Sequence, residues 1–392
     1  DKLRDSAISK DKLARNAETV SAIVLTESAL FFIVVPPGLE RVDHYELISV
    51  LKFHNIDDIE IEHFVGGMEL SLPVALGLSL NSLLKVPTRI LMRLASKEIL
   101  HIKDYIAFIN KQDWKFFGNL HKVYVSSRTS KLKIKGNLAE IFEKDAKTAT
   151  WSKDSGTDIY IRFFRDECTL SVDTSGEDLY QRGYGKWVGE APIRDNMAAG
   201  LLQFALQGVE NLDGWEVVDP MMGSGTFLLE SLYTSRPFPR PYAYEKWALS
   251  KELLMAITAC KEKGLPERGQ PQVRGLDRDS KVVEMAQTNF AKLKVKPESL
   301  AQADIIKSDI RVPETQHRLV VANPPYGKRF NINDKNLFAK IMEGIASKLQ
   351  PERIGIILPE GVEVSDTRYE NVRTMEFQNN GIPLKFFLFL KS

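Results

Sequence analysis

Between Arg318 and Phe330 the chain reads RLVVANPPYGKRF. Leu319 to Val321 form the apolar run of a buried strand, and Asn323-Pro324-Pro325-Tyr326 must stop it. Each proline fixes its own φ and lacks an N–H, and Gly327 lets the chain turn away. A rigid polar loop is therefore expected at a strand's carboxyl end, which is where open α/β sheets bind ligands. Its backbone carbonyls are unpaired acceptors beside an Asn amide and a Tyr ring, a set that an amino group on a flat ring would satisfy.

From Glu216 onward, strand-like and helix-like stretches alternate, which predicts a parallel sheet with helices on both faces. Val217-Val218 ends the first strand and runs into Asp219-Pro220-Met221-Met222-Gly223-Ser224-Gly225-Thr226, followed by an apolar helix from Phe227. Two glycines two apart let this loop pass close to a ligand at a helix N-terminus. A P-loop would need Lys after Gly225, and a dinucleotide fingerprint would need Gly where Leu228 stands, so both readings are disfavoured. The second strand, Gln272 to Leu276, ends in Asp277-Arg278-Asp279. The Asp277 carboxylate suits a ribose diol, and Asp279 reads as the cap of the next helix. A third strand is expected before Ser308-Asp309-Ile310. A helix from about Lys335 to Leu349 and strands Ile354 to Leu358 and Leu384 to Leu390 complete the sheet, with a turn at Asn379-Asn380-Gly381.

Asn-Pro-Pro-Tyr, together with Asp-Pro-x-x-Gly-Ser-Gly-Thr, resembles the class I methyltransferases that use S-adenosyl-L-methionine to modify an exocyclic or amide nitrogen. That resemblance implies that Asn323 and the Pro324 carbonyl bind the target amine, with Pro325 shaping the loop and Tyr326 stacking on the base. It places the methionine portion of the cofactor against Asp219 and the stretch Gly223, Ser224, Gly225 and Thr226, with Asn323 at the boundary of the two sites. Asp277 would hold the ribose and Asp309 would accept from the adenine amino group. Met221-Met222 departs from the family's more usual Phe-Cys, which should affect packing more than chemistry.

The N-terminal half reads differently. Leu30 to Val35 is a short strand ending at Pro36-Pro37-Gly38, followed by a helix from Leu39 to about Lys52, an alternating strand from Ile59 to Phe64, and another from Met68 to Leu72. Ala75 to Leu84 is helical, and Val86 to Leu94 reads as a strand with Arg89 and Arg93 on one phase, both expected to contact RNA phosphates. Val123 to Lys135 delivers Arg128, Lys131, Lys133 and Lys135, a plausible phosphate-contacting strand, although alternating lysines also guard sheet edges. Residues 158 to 173 look like a hairpin bridging the halves.

This order, with Arg182-Gly183-Tyr184, Glu190-Ala191-Pro192-Ile193-Arg194 and Tyr244-Glu245-Lys246-Trp247, is similar to the THUMP-containing RNA guanine-N2 methyltransferases, especially the large-subunit ribosomal RNA branch. The implied architecture is α/β. A Rossmann-like seven-stranded methyltransferase domain at 191–392 is preceded by a polar extension (1–20), a ferredoxin-like part (21–72), a THUMP part (73–157) and a linker hairpin (158–190). The implied substrate is ribosomal RNA, with tRNA as the alternative. An RNA-binding assembly factor with an inactive methyltransferase half is the reading from a different class.

Charge supports a polyanionic partner. The net charge of +1 conceals segregation: Gly38 to Leu70 holds two basic residues against eight acidic, and Lys85 to Thr148 fourteen basic against six acidic. Cys168 and Cys260 stand far apart without CxxC or a His cluster, so they read as core thiols, and no disulfide or metal is expected. No run of about 18 apolar residues and no apolar leader in the first twenty residues point to a cytoplasmic chain without membrane contact, expected as a monomer.

Overall fold

The computed structural model describes residues 28–128, 137–187, 193–233, 240–315, 317–325 and 335–392. Two units share the chain: 1–35, 50–179 and 238–264 make one, and 36–49, 180–237 and 265–392 make the other.

The first unit is built on an eight-stranded sheet. Its strands are β1 (Ser28–Val34), β2 (Ile61–Phe64), β3 (Gly67–Pro73), β4 (Arg89–Glu98), β5 (Asn119–Arg128), β6 (Thr150–Trp151), β7 (Thr157–Phe164) and β8 (Glu167–Asp173), in the order β2-β3-β1-β4-β8-β7-β5-β6. The apolar helix Val74–Leu83 is buried along almost its whole length. A Cβ on its Gly77 would lie 2.1 Å from the Phe31 ring, so glycine is what lets the helix approach β1 this closely. Helix Lys251–Lys263 packs on helix Val74–Leu83, and Ser79 Oγ donates to the Ile257 carbonyl at 3.3 Å. Trp247 joins the same unit: its ring meets Phe117 edge-on at 5.0 Å and its indole N–H donates to the Thr157 hydroxyl at 2.9 Å. The Tyr244 to Trp247 segment is therefore a packing element of the first unit.

Two expectations change here. Residues 158 to 173 do not bridge the halves: they are β7 and β8, and β8 pairs with β4 while β7 pairs with β5. They are interior strands of the first unit's sheet, lying between β4 and β5, and β7 alternates buried Ile159, Ile161 and Phe163 with half-buried residues as such a strand does. Cys168 is buried, but Cys260 is only partly so.

Arg93 is also placed unexpectedly. Its guanidinium lies inside, donating to Glu69 at 2.8 Å and to Ser171 Oγ at 3.0 Å, 4.4 Å from the Phe32 ring centre. Burial pushes the Glu69 carboxyl above its ordinary range despite the arginine beside it, and burial holds Arg93 below its own.

The second unit is a seven-stranded sheet: β9 (Trp215–Asp219), β10 (Gln272–Asp277), β11 (Ser299–Gln302), β12 (His317–Ala322), β13 (Arg353–Pro359), β14 (Tyr369–Asn379) and β15 (Ile382–Lys391). Their order is β11-β10-β9-β12-β13-β15-β14; the first five are parallel, and β15 runs antiparallel to β13 and β14. From β9 the chain builds outward through β10 and β11, then crosses to β12 on the other side. That reversal opens a crevice at the strands' carboxyl ends. Strand β14, unassigned from the sequence, reaches β15 through Asn380 and Gly381, both at positive φ (+51° and +78°), as a tight hairpin turn requires. Three strands are tied together by one carboxylate: Glu216 on β9 accepts from Arg274 on β10 (2.9 Å) and Arg318 on β12 (2.6 Å). Val320, Ala322, Ile354 and Ile356 pack with Phe338 and Ile341 in the core. Among the described residues no helix is long and apolar enough to cross a membrane.

Removing one partner of a buried ion pair strands the other charge, whereas replacing both with apolar groups does not. Arg93→Ala is expected to destabilise the first unit by about 3–5 kcal/mol, and Arg93→Met with Glu69→Leu to recover most of that loss. Urea unfolding of both variants checks it.

Candidate active site

A cavity of about 270 Å³ lies at the carboxyl ends of the central strands of the second unit, and Asp219, Gly223, Asp277, Asp304 and Asn323 line it. The loop after β9 sets its floor. Gly223 and Gly225 have φ of +54° and +83°, a region that L side chains rarely adopt. A Cβ at Gly225 would also come within 3.1 Å of the Phe290 ring. Helix Thr226–Leu232 starts directly after this turn.

The acidic residues first hold the loops in place. Asp219 Oδ1 accepts from the Met221 N–H at 2.9 Å, and Asp277 Oδ2 accepts from the Gly223 N–H at 3.1 Å. Burial pushes the Asp219 carboxyl up to about 8, with the Asp277 charge adding to the shift. Asp279 caps helix Ser280–Lys292 through the Lys281 N–H, as its position after β10 suggests.

The third acidic position is corrected. Strand β11 ends at Gln302, and the carboxylate that reaches the cavity is Asp304, which accepts from the Ile306 N–H at 2.8 Å. Asp309 points away: its side chain is 82% exposed and lies 3.5 Å from Arg311. Lys348 fixes the intervening turn by donating to the carbonyls of Ile305, Ile306 and Ser308 at 2.8–2.9 Å.

Asn323 follows the end of β12 directly. Its Oδ1 is buried and has no hydrogen-bond partner among the described residues, an arrangement that leaves an acceptor in need of a donor. Pro324 is buried and Pro325 is exposed, whereas Tyr326 lies outside the described residues.

Ser224 and Thr226 stand 3.2 Å apart, and Lys186 donates to Thr226 Oγ1 at 2.9 Å and to Asp195 at 2.5 Å. Asn289 ties the same corner: its amide exchanges 2.8 Å hydrogen bonds with both backbone groups of Trp187 and donates to the Ser224 carbonyl at 3.0 Å. Neither Lys186, Asn289 nor Lys348 was legible from the sequence, because each acts on a loop remote from it along the chain.

Of the basic residues expected to meet RNA, Arg93 is buried against Glu69. Arg89 is held by Asp173 and Asp178 and donates to the Gly176 carbonyl at 2.7 Å. Both guanidiniums are occupied by internal carboxylates and are withdrawn from phosphate contact. Arg128 ends β5, and Lys131, Lys133 and Lys135 lie outside the described residues.

The family profile UPF0020, described as RMKL-like, methyltransferase domain, matches residues 182–383, just over half of the chain. The chain belongs to this family. Its UPF0020 domain coincides with most of the second unit and with every cavity residue named above. Ribosomal RNA large subunit methyltransferase K/L of Cellvibrio japonicus (strain Ueda107) is 26% identical over 358 residues, covering 83% of this chain and 46% of that protein. The chain thus spans about half the length of the curated relatives it matches. Among solved structures, SMU.472 in complex with SAH has a TM-score of 0.74 at 20% identity, covering 94% of this chain and 99% of that one. TrmN from Thermus thermophilus has a TM-score of 0.65 at 16% identity, covering 93% and 99%. These likenesses establish a methyltransferase fold.

Within the UPF0020 domain, Asn289→Ala should loosen the glycine loop by leaving the Ser224 carbonyl and both Trp187 backbone groups unpaired. A loss of about 2–3 kcal/mol is expected, read as a lower midpoint in chemical unfolding.

Proposed function

We propose that this chain is an S-adenosylmethionine-dependent RNA methyltransferase that methylates the exocyclic N2 amine of a guanosine in large-subunit ribosomal RNA. The observation that carries the reading is the buried, unpartnered Oδ1 of Asn323 on the wall of a cavity rimmed by three carboxylates. Carboxylates at three neighbouring strand ends fit a ligand rich in donors and positive charge and disfavour a phosphate. S-adenosylmethionine has that character: an ammonium, a sulfonium, a ribose diol and an adenine amino group. The name of the K/L relatives and the basic excess between Lys85 and Thr148 support RNA as substrate.

When bound, the cofactor supplies an activated methyl group, so little acid–base chemistry is left for the protein. Asp219 would hold the ammonium, Asp277 the ribose and Asp304, in place of Asp309, the adenine amino group. Asn323 Oδ1 and the Pro324 carbonyl would accept both hydrogens of the target amine, which keeps the nitrogen lone pair directed at the methyl carbon. Tyr326, by its place in the motif, takes the stack on a base withdrawn from its helix. The contribution is positioning, which can supply several orders of magnitude in rate.

Incubation with tritiated-methyl S-adenosylmethionine and undermodified ribosomal RNA or tRNA, followed by nucleoside analysis, tests the assignment. N2-methylguanosine in the ribosomal pool is expected; label only in tRNA would transfer the assignment to tRNA, and another labelled nucleoside would overturn the N2 assignment. Asn323→Ala should lower kcat by about 100-fold or more with donor affinity nearly unchanged. A large loss of donor affinity would move the residue into the cofactor site.

The Asp219 shift gives a pH signature. A carboxyl raised from 3.8 to about 8 favours the ligand-free fold most below about pH 4, and that support is lost as pH rises toward 8. An ammonium placed against it reverses the preference, so donor binding near pH 7 should release close to one proton. Calorimetry in buffers of different ionisation enthalpy measures the release, and Asp219→Asn should abolish it.

A further inference from the structure

One face of the first unit's sheet carries an aromatic and cationic row that the methyl-transfer site does not use. Along β7, Tyr160, Arg162 and Phe164 share the face opposite buried Ile159, Ile161 and Phe163. Strand β5 runs parallel and in register, with Tyr124 beside Tyr160, Ser126 beside Arg162 and Arg128 beside Phe164. The Tyr124 and Tyr160 rings stack at 4.9 Å and 19°, and Tyr124 is 43% exposed, so the stack has an open outer side. Farther along the row, Arg162 and Arg165 both lie over the Phe164 ring, at 5.6 and 5.2 Å. Arg165 is exposed in the tight turn between β7 and β8, where it and Asp166 have φ of +49° and +67°.

Charge separates these arginines from their neighbours. Arg89 is matched by Asp173 and Asp178, and Arg93 by Glu69. Glu167, the carboxylate beside Phe164 in the β7–β8 register, accepts from the Ser96 hydroxyl. Arg162 and Arg165 form no ion pair among the described residues, and Glu69, the carboxylate whose field Arg162 reaches, is already held by Arg93. Guanidiniums free of ion pairs among the described residues and set on an aromatic ring, on the same sheet face as an open tyrosine stack, complement a chain with exposed flat rings and regular negative charge.

We propose that Tyr124, Tyr160, Arg162, Phe164 and Arg165 form a binding surface for single-stranded RNA, with a base stacked on the open side of Tyr124 and the phosphates following Arg162 and Arg165. A duplex hides the π faces that this stack would meet. Successive positions of the row stand about 6.8 Å apart, so side chains of alternating character follow one another along the strand. The proposal rests on RNA being the substrate, and it adds a contact surface distinct from the residues of the cavity.

Fluorescence anisotropy of the full chain with a labelled oligouridine of about 12 nucleotides, a length within the usual range of single-strand sites, tests it. Tyr124→Ala should weaken binding about five- to tenfold without changing its salt dependence, and Tyr124→Phe should stay near the wild type. Arg162→Gln with Arg165→Gln should reduce the slope of log affinity against log salt by about 1.4, two phosphate contacts on a single strand. Matched thermal unfolding midpoints show that each variant is folded. If the wild type binds and methylates RNA while Tyr124→Ala and the double variant bind oligouridine equally well, the surface is overturned and the RNA assignment stands. If Tyr124→Phe loses as much as Tyr124→Ala, stacking is not the interaction. A wild type that binds donor yet neither binds nor methylates RNA overturns the RNA assignment and this surface with it.

Discussion

Glu216 sits on the central strand β9 with 1% of its surface exposed, and its two oxygens reach arginines on both neighbouring strands. A carboxylate cannot be buried at reasonable cost unless its charge is met, and here it is met twice. Arg318 goes on to donate to the Leu349 carbonyl at 2.6 Å and the Pro313 carbonyl at 2.5 Å. The charged cluster thus fixes both the register of three strands and the segments around them. Asp219, Asp277 and Asn323 lie only three to five residues beyond Glu216, Arg274 and Arg318. Since side chains alternate along a strand, a slip of one residue would turn each of them to the other face. The geometry of the cavity is inherited from an ion cluster that does not line it.

What could be read from the sequence follows from how local each signal is. The loop after β9 and the Asn-Pro-Pro corner announce themselves because glycine and proline dictate backbone shape within a few residues. The sequence points to Asp309 and not Asp304 because β11 has only four residues, none of them fully buried, so hydrophobicity does not mark its end. Strand β14 escaped for a related reason: YENVRTMEFQN buries only every second residue near its end and otherwise looks like a polar connection. The pairing of residues 158 to 173 with β4 and β5 is a long-range choice that a local hairpin pattern cannot reveal. Lys186, Asn289 and Lys348 belong to the same class, since each acts across distance in the chain.

The basic residues show a different limit. A regional excess of Lys and Arg is a sum, whereas availability depends on where the carboxylates fold. Arg89 and Arg93 satisfy a strand-phase argument and are then consumed by Asp173, Asp178 and Glu69, two of which lie some 80 residues away in sequence. Arg162 and Arg165, outside the stretch that looked basic, are left unpaired among the described residues. A regional charge count therefore does not say which side chains the fold leaves without an ion-pair partner.

The division of the chain carries a consequence for its synthesis. The first unit has all eight strands by Asp173, yet the helix that packs on Val74–Leu83 is Lys251–Lys263, and Trp247 packs against Phe117 from the same late segment. By the time those residues leave the ribosome, β9 and helix Thr226–Leu232 have already been made. The nascent sheet must therefore wait with an apolar helix incompletely covered while the second unit begins to form, an interval in which exposed apolar surface invites misassembly. Residues 36–49, made early but belonging to the second unit, wait in the opposite sense. No single cut in the gene would release either unit with all of its parts.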